Sequence, residues 1–408
     1  MALFLFLVLI SPTGSPLARK PIERIAEPYM YSLLVWEASH FPSKWLQAAR
    51  DFLRGDRPSQ QEQVRLVREY FALSEEISSL QAAIKRAAIL QVNQSMADVG
   101  EMKARLKRLL RQRDQRKPAA EAALESQLTS VLKDEGLMSS LRLPSLKLVF
   151  PPVDFALQTP PRVLIVSPRE RIEMQKAITL RPGLDTQSVE TIESQVEKLG
   201  LSAVVEETGG FSTYPTSIPD GYQLRTTLES VAHEWIHTYL AFRPLGRHYG
   251  DNGDLRTMNE TVANIAGDEI GWLVYTRYYD RNAPSPQELR ARQRAQKPEP
   301  GAFDFNAEMR TTRLTVDAML AEGRVDDAEA YMRERQRDLA EHGYFIRKLN
   351  QAYFAFHGAY ADVPSATSPI GEDLRRLRQI ETSVGDFVKR VQRFSRLDQL
   401  QQAVAEAY

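Results

Sequence analysis

Residues 60–136 carry the pattern that most restricts the fold. In "QQEQVRLVREYFALSEEISSLQAAIKRAAILQ", Leu66, Tyr70, Leu73, Ile77, Leu80, Ile84 and Ala87 recur at alternating steps of four and three. That spacing lines apolar side chains along one seam of a helix and predicts a second helix packed against it. A charged segment follows, "VGEMKARLKRLLRQRDQRK", with Met102, Leu106, Leu109 and Leu110 on one stripe. Pro118 has no backbone N–H to donate, so a break or restart of the helix is expected there. "AAEAALESQLTSVLKDEGL" then predicts more helix, ending at Gly136. Residues 60–136 therefore read as a long helical hairpin or coiled coil. The Arg and Lys run at 103–117 reads as a solvated helix face. Acidic residues fill the flanking helices, and no aromatics interleave as a nucleic-acid surface would require.

Composition narrows the chemistry. Of 408 residues, 53 are Lys or Arg and 53 are Asp or Glu, so no global field favours nucleic acid, and no nucleic-acid partner is expected. Cysteine is absent, which excludes disulfides, a thiol nucleophile and thiolate metal sites. A metal would have to be held by His and carboxylates, and only six histidines exist: His40, His233, His237, His248, His342 and His357. At the N-terminus, Leu3 to Ile10 is an unbroken apolar run. It is shorter than the roughly 20 residues of a spanning helix. It resembles the h-region of a signal peptide, although no positive n-region precedes it. The expectation is a leader or anchor and an extracytoplasmic, secreted or membrane-associated protein; the alternative is a short apolar tail tucked against the body. No later segment is long and apolar enough to span a bilayer.

The texture changes near Pro144. After a proline-rich stretch, "RVLIVS" (162–167) and "LSAVVEE" (201–207) predict strands around a helix, "DTQSVETIESQVEKLG", that ends at Gly200. "GGFSTYPTSIPDG" predicts a strand or a pair of turns. Beyond it the chain reads as helical to the end, interrupted by a Pro-, Arg- and Gln-rich surface loop at 283–302. No Gly-rich phosphate loop and no Gly-x-Ser-x-Gly elbow is present.

The decisive stretch is "ESVAHEWIHTYLAF", Glu229 to Phe242. Thr226, three residues before Glu229, reads as a capping box that starts a helix. His233 and His237 then lie one turn apart on one face, where two imidazoles can reach one metal ion. Glu234 lies about 100° round the helix, beside the metal, where a carboxylate can take a proton from a bound water. The bland alternative is two helix histidines bonded to backbone or carboxylates. A catalytic zinc site needs a third protein ligand and an open position. His248 is the nearest histidine, but its spacing does not suit the three-histidine pattern. Glu260 in "LRTMNETVANIAGDEIG" is the better candidate, with 22 residues between it and His237. It is expected to open a helix. Asn264, four positions on, could accept the free N–H of a ligating imidazole. Glu260 could instead be an ordinary first-turn glutamate or the partner of Thr257 in a second capping box.

"HEWIH" followed by "NETVAN" resembles the gluzincin metallopeptidases, whose pattern is HExxH, a spacer and NExxA. The resemblance implies zinc held by His233, His237 and Glu260, with Glu234 as general base. It also implies a mixed sheet whose edge strand binds substrate in extended form, falling here at "GGFSTYPT". The family often has Asp where this chain has Asn264. A further resemblance, to bacterial predicted aminopeptidases, rests on "HEWIHTYLAF", "MNETVANIAGDEIG" and "LNQAYFAFHGAYADVP". Together these imply an α+β, predominantly helical protein with a zincin-like domain and a peptide or protein substrate. The expected segments are a leader or anchor at 1–25, a helical region at 26–144, the catalytic domain at 145–285 and a helical region at 286–408. For the oxyanion donor the candidates are His357 and Tyr360, with Tyr353 on a related face and Tyr214 a weaker choice. His40 and His342 belong to no constellation. The rival readings are an inactive metal-binding relative acting as a membrane-associated helical scaffold, and a coiled-coil structural protein with a fortuitous histidine pair.

Overall fold

The computed structural model describes residues 21–31, 58–90, 96–140, 147–295, 303–358 and 369–407. Residues 1–20 of the expected leader or anchor, together with His40 and Tyr360, lie outside the described residues, whereas 21–25 belong to the first helix. In chain order the elements begin with helices α1 (Pro21–Ala26), α2 (Gln60–Leu90) and α3 (Met96–Asp134). Five strands follow: β1 (Ser139–Ser140), β2 (Lys147–Leu148), β3 (Phe155–Leu157), β4 (Arg162–Pro168) and β5 (Lys176–Leu180). Then come α4 (Thr186–Glu197), β6 (Leu201–Glu207), β7 (Thr216–Ile218), α5 (Leu224–Leu240), α6 (Pro244–Arg247) and α7 (Gly253–Tyr278). The remainder is helical: α8 (Pro286–Ala295), α9 (Phe305–Ala321), α10 (Val325–Glu341), α11 (Gln351–His357), α12 (Ile370–Ile380), α13 (Val384–Val391) and α14 (Leu397–Ala405). The class is α+β and predominantly helical, with small sheets of both antiparallel and parallel sense. Among the described residues no helix is long and apolar enough to cross a membrane.

The chain groups into two compact units. One draws on 1–32, 161–207 and 312–356, the other on 33–160, 208–311 and 357–408. The first unit is built on an antiparallel sheet in the order β5-β4-β6. Its central strand is covered on both faces, which explains the unbroken apolar run "RVLIVS". Leu164 and Val166 pack with Val189, Ile192 and Val196 of α4, while Val163 and Ile165 pack with Val204 and Ala352. Strand β5 is additional to the two strands expected from the sequence. Helix α4 begins at an Asp185 N-cap, whose carboxylate accepts from the Ser188 N–H, and Gly200 takes φ 76° beyond its end. Glu193 is buried. It accepts from the Val205 N–H at 2.7 Å and pairs with Arg347 and Lys348.

The second unit contains the helical hairpin. On α2 the buried line runs through Val67, Tyr70, Ser74 and Ile77, sharing Tyr70 and Ile77 with the expected seam; Leu66 and Leu73 are half-buried. A straight α-helix drifts against a 3.5-residue repeat, so the seam turns away from a strict heptad line. Arg105–Glu76 at 2.6 Å and Arg116–Glu69 at 3.5 Å bridge the two helices. Arg113 is buried and meets Asp220 at 2.7 Å, so the basic run is only partly a solvated face. Contrary to expectation, α3 runs unbroken through Pro118. One lost helix bond is outweighed by the burial of Ala120, Ala123, Leu124, Leu128, Val131 and Leu132 just beyond it.

Gly136 ends α3 at φ 68°, with Gly136 N–H bonded to Lys133 O and Leu137 N–H to Leu132 O. The outer edge of β3 is closed by α3: the Leu157 and Phe155 amides donate to Glu121 and Glu125. On its other side β3 pairs in parallel with β7. The expected surface loop at 283–302 contains a helix, α8. The reason is legible afterwards in "SPQE", where Ser285 and Glu288 cap one another and Pro286 takes the first helical position. Three short helices, α12 to α14, close the chain, one more than the sequence suggested.

Candidate metal centre

Helix α5 starts at Leu224, with Gln223 as an N-cap that makes no side-chain bond. The expected box from Thr226 does not form, because Glu229 accepts instead from Arg225 one turn earlier, at 2.8 Å. Trp235 anchors the buried face by donating to Pro151 O and stacking on Tyr239. Helix α7 starts at Gly253, capped by Asn252, whose side chain accepts from the Leu255 N–H. Glu260 thus lies two turns inside the helix rather than at its opening. A capped asparagine upstream displaced the start that Thr257 suggested.

The two helices approach closely through small residues. A Cβ at Gly267 would lie 2.8 Å from His233 Cβ, and one at Gly271 would lie 2.6 Å from Glu229 Cα. With Ala263, these glycines recur every four residues on the face of α7 that meets α5. That contact aims Glu260 at the histidine pair.

Three donor atoms converge: His233 Nε2 to His237 Nε2 is 3.0 Å, His237 Nε2 to Glu260 Oε2 is 3.3 Å, and His233 Nε2 to Glu260 Oε2 is 3.9 Å. For those separations the equidistant point lies about 2 Å from each atom, the bond length of a small divalent transition ion to imidazole nitrogen or carboxylate oxygen. Among the described residues, these three form the group able to hold a metal ion.

The surroundings keep the converging atoms bare. His237 Nδ1 lies 2.7 Å from Asn259 Oδ1, and in the tautomer that donates there Nε2 carries the lone pair. His233 is hydrogen-bonded by the Ala263 backbone and the Asn264 side chain. Tyr249 donates to Glu260 Oε1 at 2.6 Å, while Oε2 is buried without a hydrogen-bond partner. A buried carboxylate oxygen without a donor is costly, and a cation relieves that cost.

Electrostatics follow from burial and crowding. Burial disfavours charge on both histidines, and His233 is pushed well below the ordinary imidazole range by burial and by His237. For His237 burial is overcome by the Glu260 carboxylate, which raises it. Glu260 is held down by the two imidazoles and by Tyr249 against the opposing effect of burial. Glu234 is also buried, and burial raises its carboxyl, partly opposed by His237 and by a hydrogen bond from Ser212. The backbone of Gly210 passes directly over it, leaving no room for a side chain: a Cβ there would lie 2.6 Å from Glu234 Oε1.

Other sequence candidates fall elsewhere. His248 is exposed and pairs with Asp251 at 2.6 Å. His357 is half-buried at the end of α11 and is not one of the converging donors. Tyr353 belongs to the first unit, and burial pushes its phenol up to about 12. Tyr214 is buried, which raises its phenol. His342 bonds the end of its own helix through Asp338 O. Sequence reasoning assigned no role to Asn259, Tyr249, Ser212 or Gly267. The "NE" pair and the Ala263, Gly267, Gly271 spacing were readable signals, whereas nothing local marked Tyr249 or Ser212.

No protein-family model, curated protein or solved structure matches this chain.

Proposed function

We propose that this chain is a zinc-dependent metallopeptidase of the gluzincin kind, acting on a peptide or protein substrate. The observation that carries the reading is the convergence of His233 Nε2, His237 Nε2 and the unpartnered Oε2 of Glu260, with buried Glu234 beside them. Two imidazoles and one carboxylate are a donor set that suits zinc, which would displace any proton on His237, and leave a fourth position open. Bound there, zinc would polarise a peptide carbonyl and acidify a water.

The protein groups divide the remaining work. Glu234, its carboxyl raised by burial, accepts the proton of the attacking water and returns it to the leaving amine nitrogen. Ser212 fixes the Glu234 carboxylate, and Asn259 and Asn264 fix the two imidazole rings. Phe211 spends both backbone groups on Ser217 in an isolated antiparallel bridge beside Glu234 and Ser212. The resemblance to the gluzincin pattern puts the substrate-binding edge in this stretch, where an extended peptide could add as a strand. The apolar run Leu3 to Ile10, read as a leader or anchor, would put the enzyme outside the cytoplasmic membrane, secreted or tethered, and an aminopeptidase is the first form to assay.

The test combines metal analysis with peptide-library cleavage by the wild type and Glu234→Gln. The reading expects one zinc per chain in both proteins and a loss of at least ~100-fold in cleavage rate in the variant. A chain without stoichiometric zinc overturns it in favour of a helical structural protein. Zinc without any cleavage favours the metal-binding scaffold. A variant that loses zinc, or keeps full activity, removes Glu234 from the role of base.

A further inference from the structure

Tyr249 links the metal donors to a cation. Its hydroxyl donates to Glu260 Oε1 at 2.6 Å, and the ring of His237 meets it edge-on with centroids 6.4 Å apart. The Arg256 guanidinium lies over the same ring, with Cζ 5.8 Å from the centroid. Arg256 is half-buried on α7, one turn before Glu260, and Tyr249 is 36% exposed, so both reach solvent beside the centre. Among the described residues the Arg256 side chain makes no ion pair and no hydrogen bond; only its backbone N–H is used, donating to Asn252 O. The carboxylates nearby in the chain are spent elsewhere. Asp251 pairs with His248, and Glu260 accepts from Tyr249 and faces the two histidines. Asp254 is two positions away on α7, a spacing at which side chains do not face each other. Contact with an aromatic face does not use the in-plane N–H donors of a guanidinium. Arg256 therefore keeps its charge and its hydrogen-bonding capacity for a group outside the protein.

We propose that Arg256 is a specificity-determining residue that binds a carboxylate of the peptide substrate, one or two residues from the bond that is cut. The inference rests on the peptidase reading of the metal centre. A guanidinium and a carboxylate match as a bidentate pair, and the carboxylate can come from an acidic side chain or from a free α-carboxyl group. An extended peptide advances ~3.3 Å per residue, so one or two residues span the single aromatic ring that separates the metal donors from the guanidinium. Tyr249 serves both ends of that span, bonding the Glu260 carboxylate through its hydroxyl and supporting the cation with its ring. A peptide without the carboxylate would leave the half-buried cation unpaired beside it, which is how a charged site rejects a neutral analogue.

The experiment measures peptide binding without turnover, by calorimetric titration of the full Glu234→Gln chain incubated with zinc, alongside cleavage of the same peptides by the wild type. The probes are amidated penta-alanine peptides carrying one Glu or one Gln at each position in turn, and trialanine as free acid and as amide. At one position Glu is expected to bind at least ~10-fold tighter than Gln, which identifies an acidic side chain; a free acid that binds at least ~10-fold tighter than its amide identifies the α-carboxylate. Adding Arg256→Gln should remove the preference, and Arg256→Lys should keep part of it, because an ammonium holds the charge but not the paired donors. Zinc content is measured in each variant; if Arg256→Gln loses zinc or fails to fold, the reduced preference of Arg256→Lys carries the comparison. Equal binding of the paired probes overturns the proposal, even where the wild type cleaves them and the peptidase reading stands. So does a preference that survives Arg256→Gln, or the absence of binding by every probe. A preference that depends on Arg256 in a chain that cleaves nothing keeps the carboxylate site and overturns the peptidase reading instead.

Discussion

Gly267 on α7 lies so close to His233 on α5 that an added Cβ would sit 2.8 Å from the histidine Cβ and 2.9 Å from its Cα. The separation of the two helices at the metal donors is therefore governed by a residue that touches no donor atom. Gly267→Ala is expected to force the helices apart by a few tenths of an ångström, at about 1–3 kcal/mol in stability. Zinc affinity should fall at least ~10-fold, because three-point coordination tolerates little displacement. Chelator competition measures the affinity and thermal unfolding the stability. Unchanged affinity would show that α5 and α7 reach their spacing without this glycine.

Asn259 accepts from His237 and fixes its ring. Asn259→Ala is expected to weaken metal binding about 10–100-fold, the usual effect of removing such a support. Tyr249→Phe, which removes the donor to Glu260 Oε1, should produce a smaller loss. Equal affinities for wild type and Asn259→Ala in metal-buffered titration would count against the orienting role.

Pro118 sits inside α3 and contributes no N–H to the ladder. Pro118→Ala should restore a donor to the turn below and stabilise the protein by about 1–3 kcal/mol. Chemical denaturation reads the difference; a variant no more stable than wild type would mean that the proline also restrains the unfolded chain to a similar extent.

Glu193 is buried in the first unit. Burial opposes its charge, but Arg347, Lys348 and the Val205 N–H outweigh burial and hold its carboxyl below the ordinary value. Its folded pKa is therefore lower than its unfolded one. The stabilisation is complete above the unfolded value, near pH 4–5, and is lost as pH falls through the folded value. Glu193→Gln should lower stability by about 2 kcal/mol at neutral pH, with the difference from wild type shrinking in acid. Melting temperatures measured between neutrality and about pH 3 check this, and a gap that widens in acid would contradict it.

The elements legible in the sequence were those defined by local spacing. His233, Glu234 and His237 needed only the helical period to share one side of α5, and "RVLIVS" and "DTQSVETIESQV" folded where their patterns indicated. Element boundaries were less legible, because neighbouring side chains compete for the same partner. Arg225 took Glu229 from a capping box, Asn252 capped α7 ahead of Thr257, and Ser285 with Glu288 made a helix of an expected loop. What only the tertiary structure decided was which distant groups meet. Glycines let α7 settle against the backbone of α5, bringing Glu260 Oε2 to 3.3 Å from His237 Nε2. The same packing supplied Asn259 and Tyr249 as supports. Periodicity sets which face a residue occupies, but the partner of that face depends on how closely two backbones can approach, and that is settled by the packing of residues far apart in the chain.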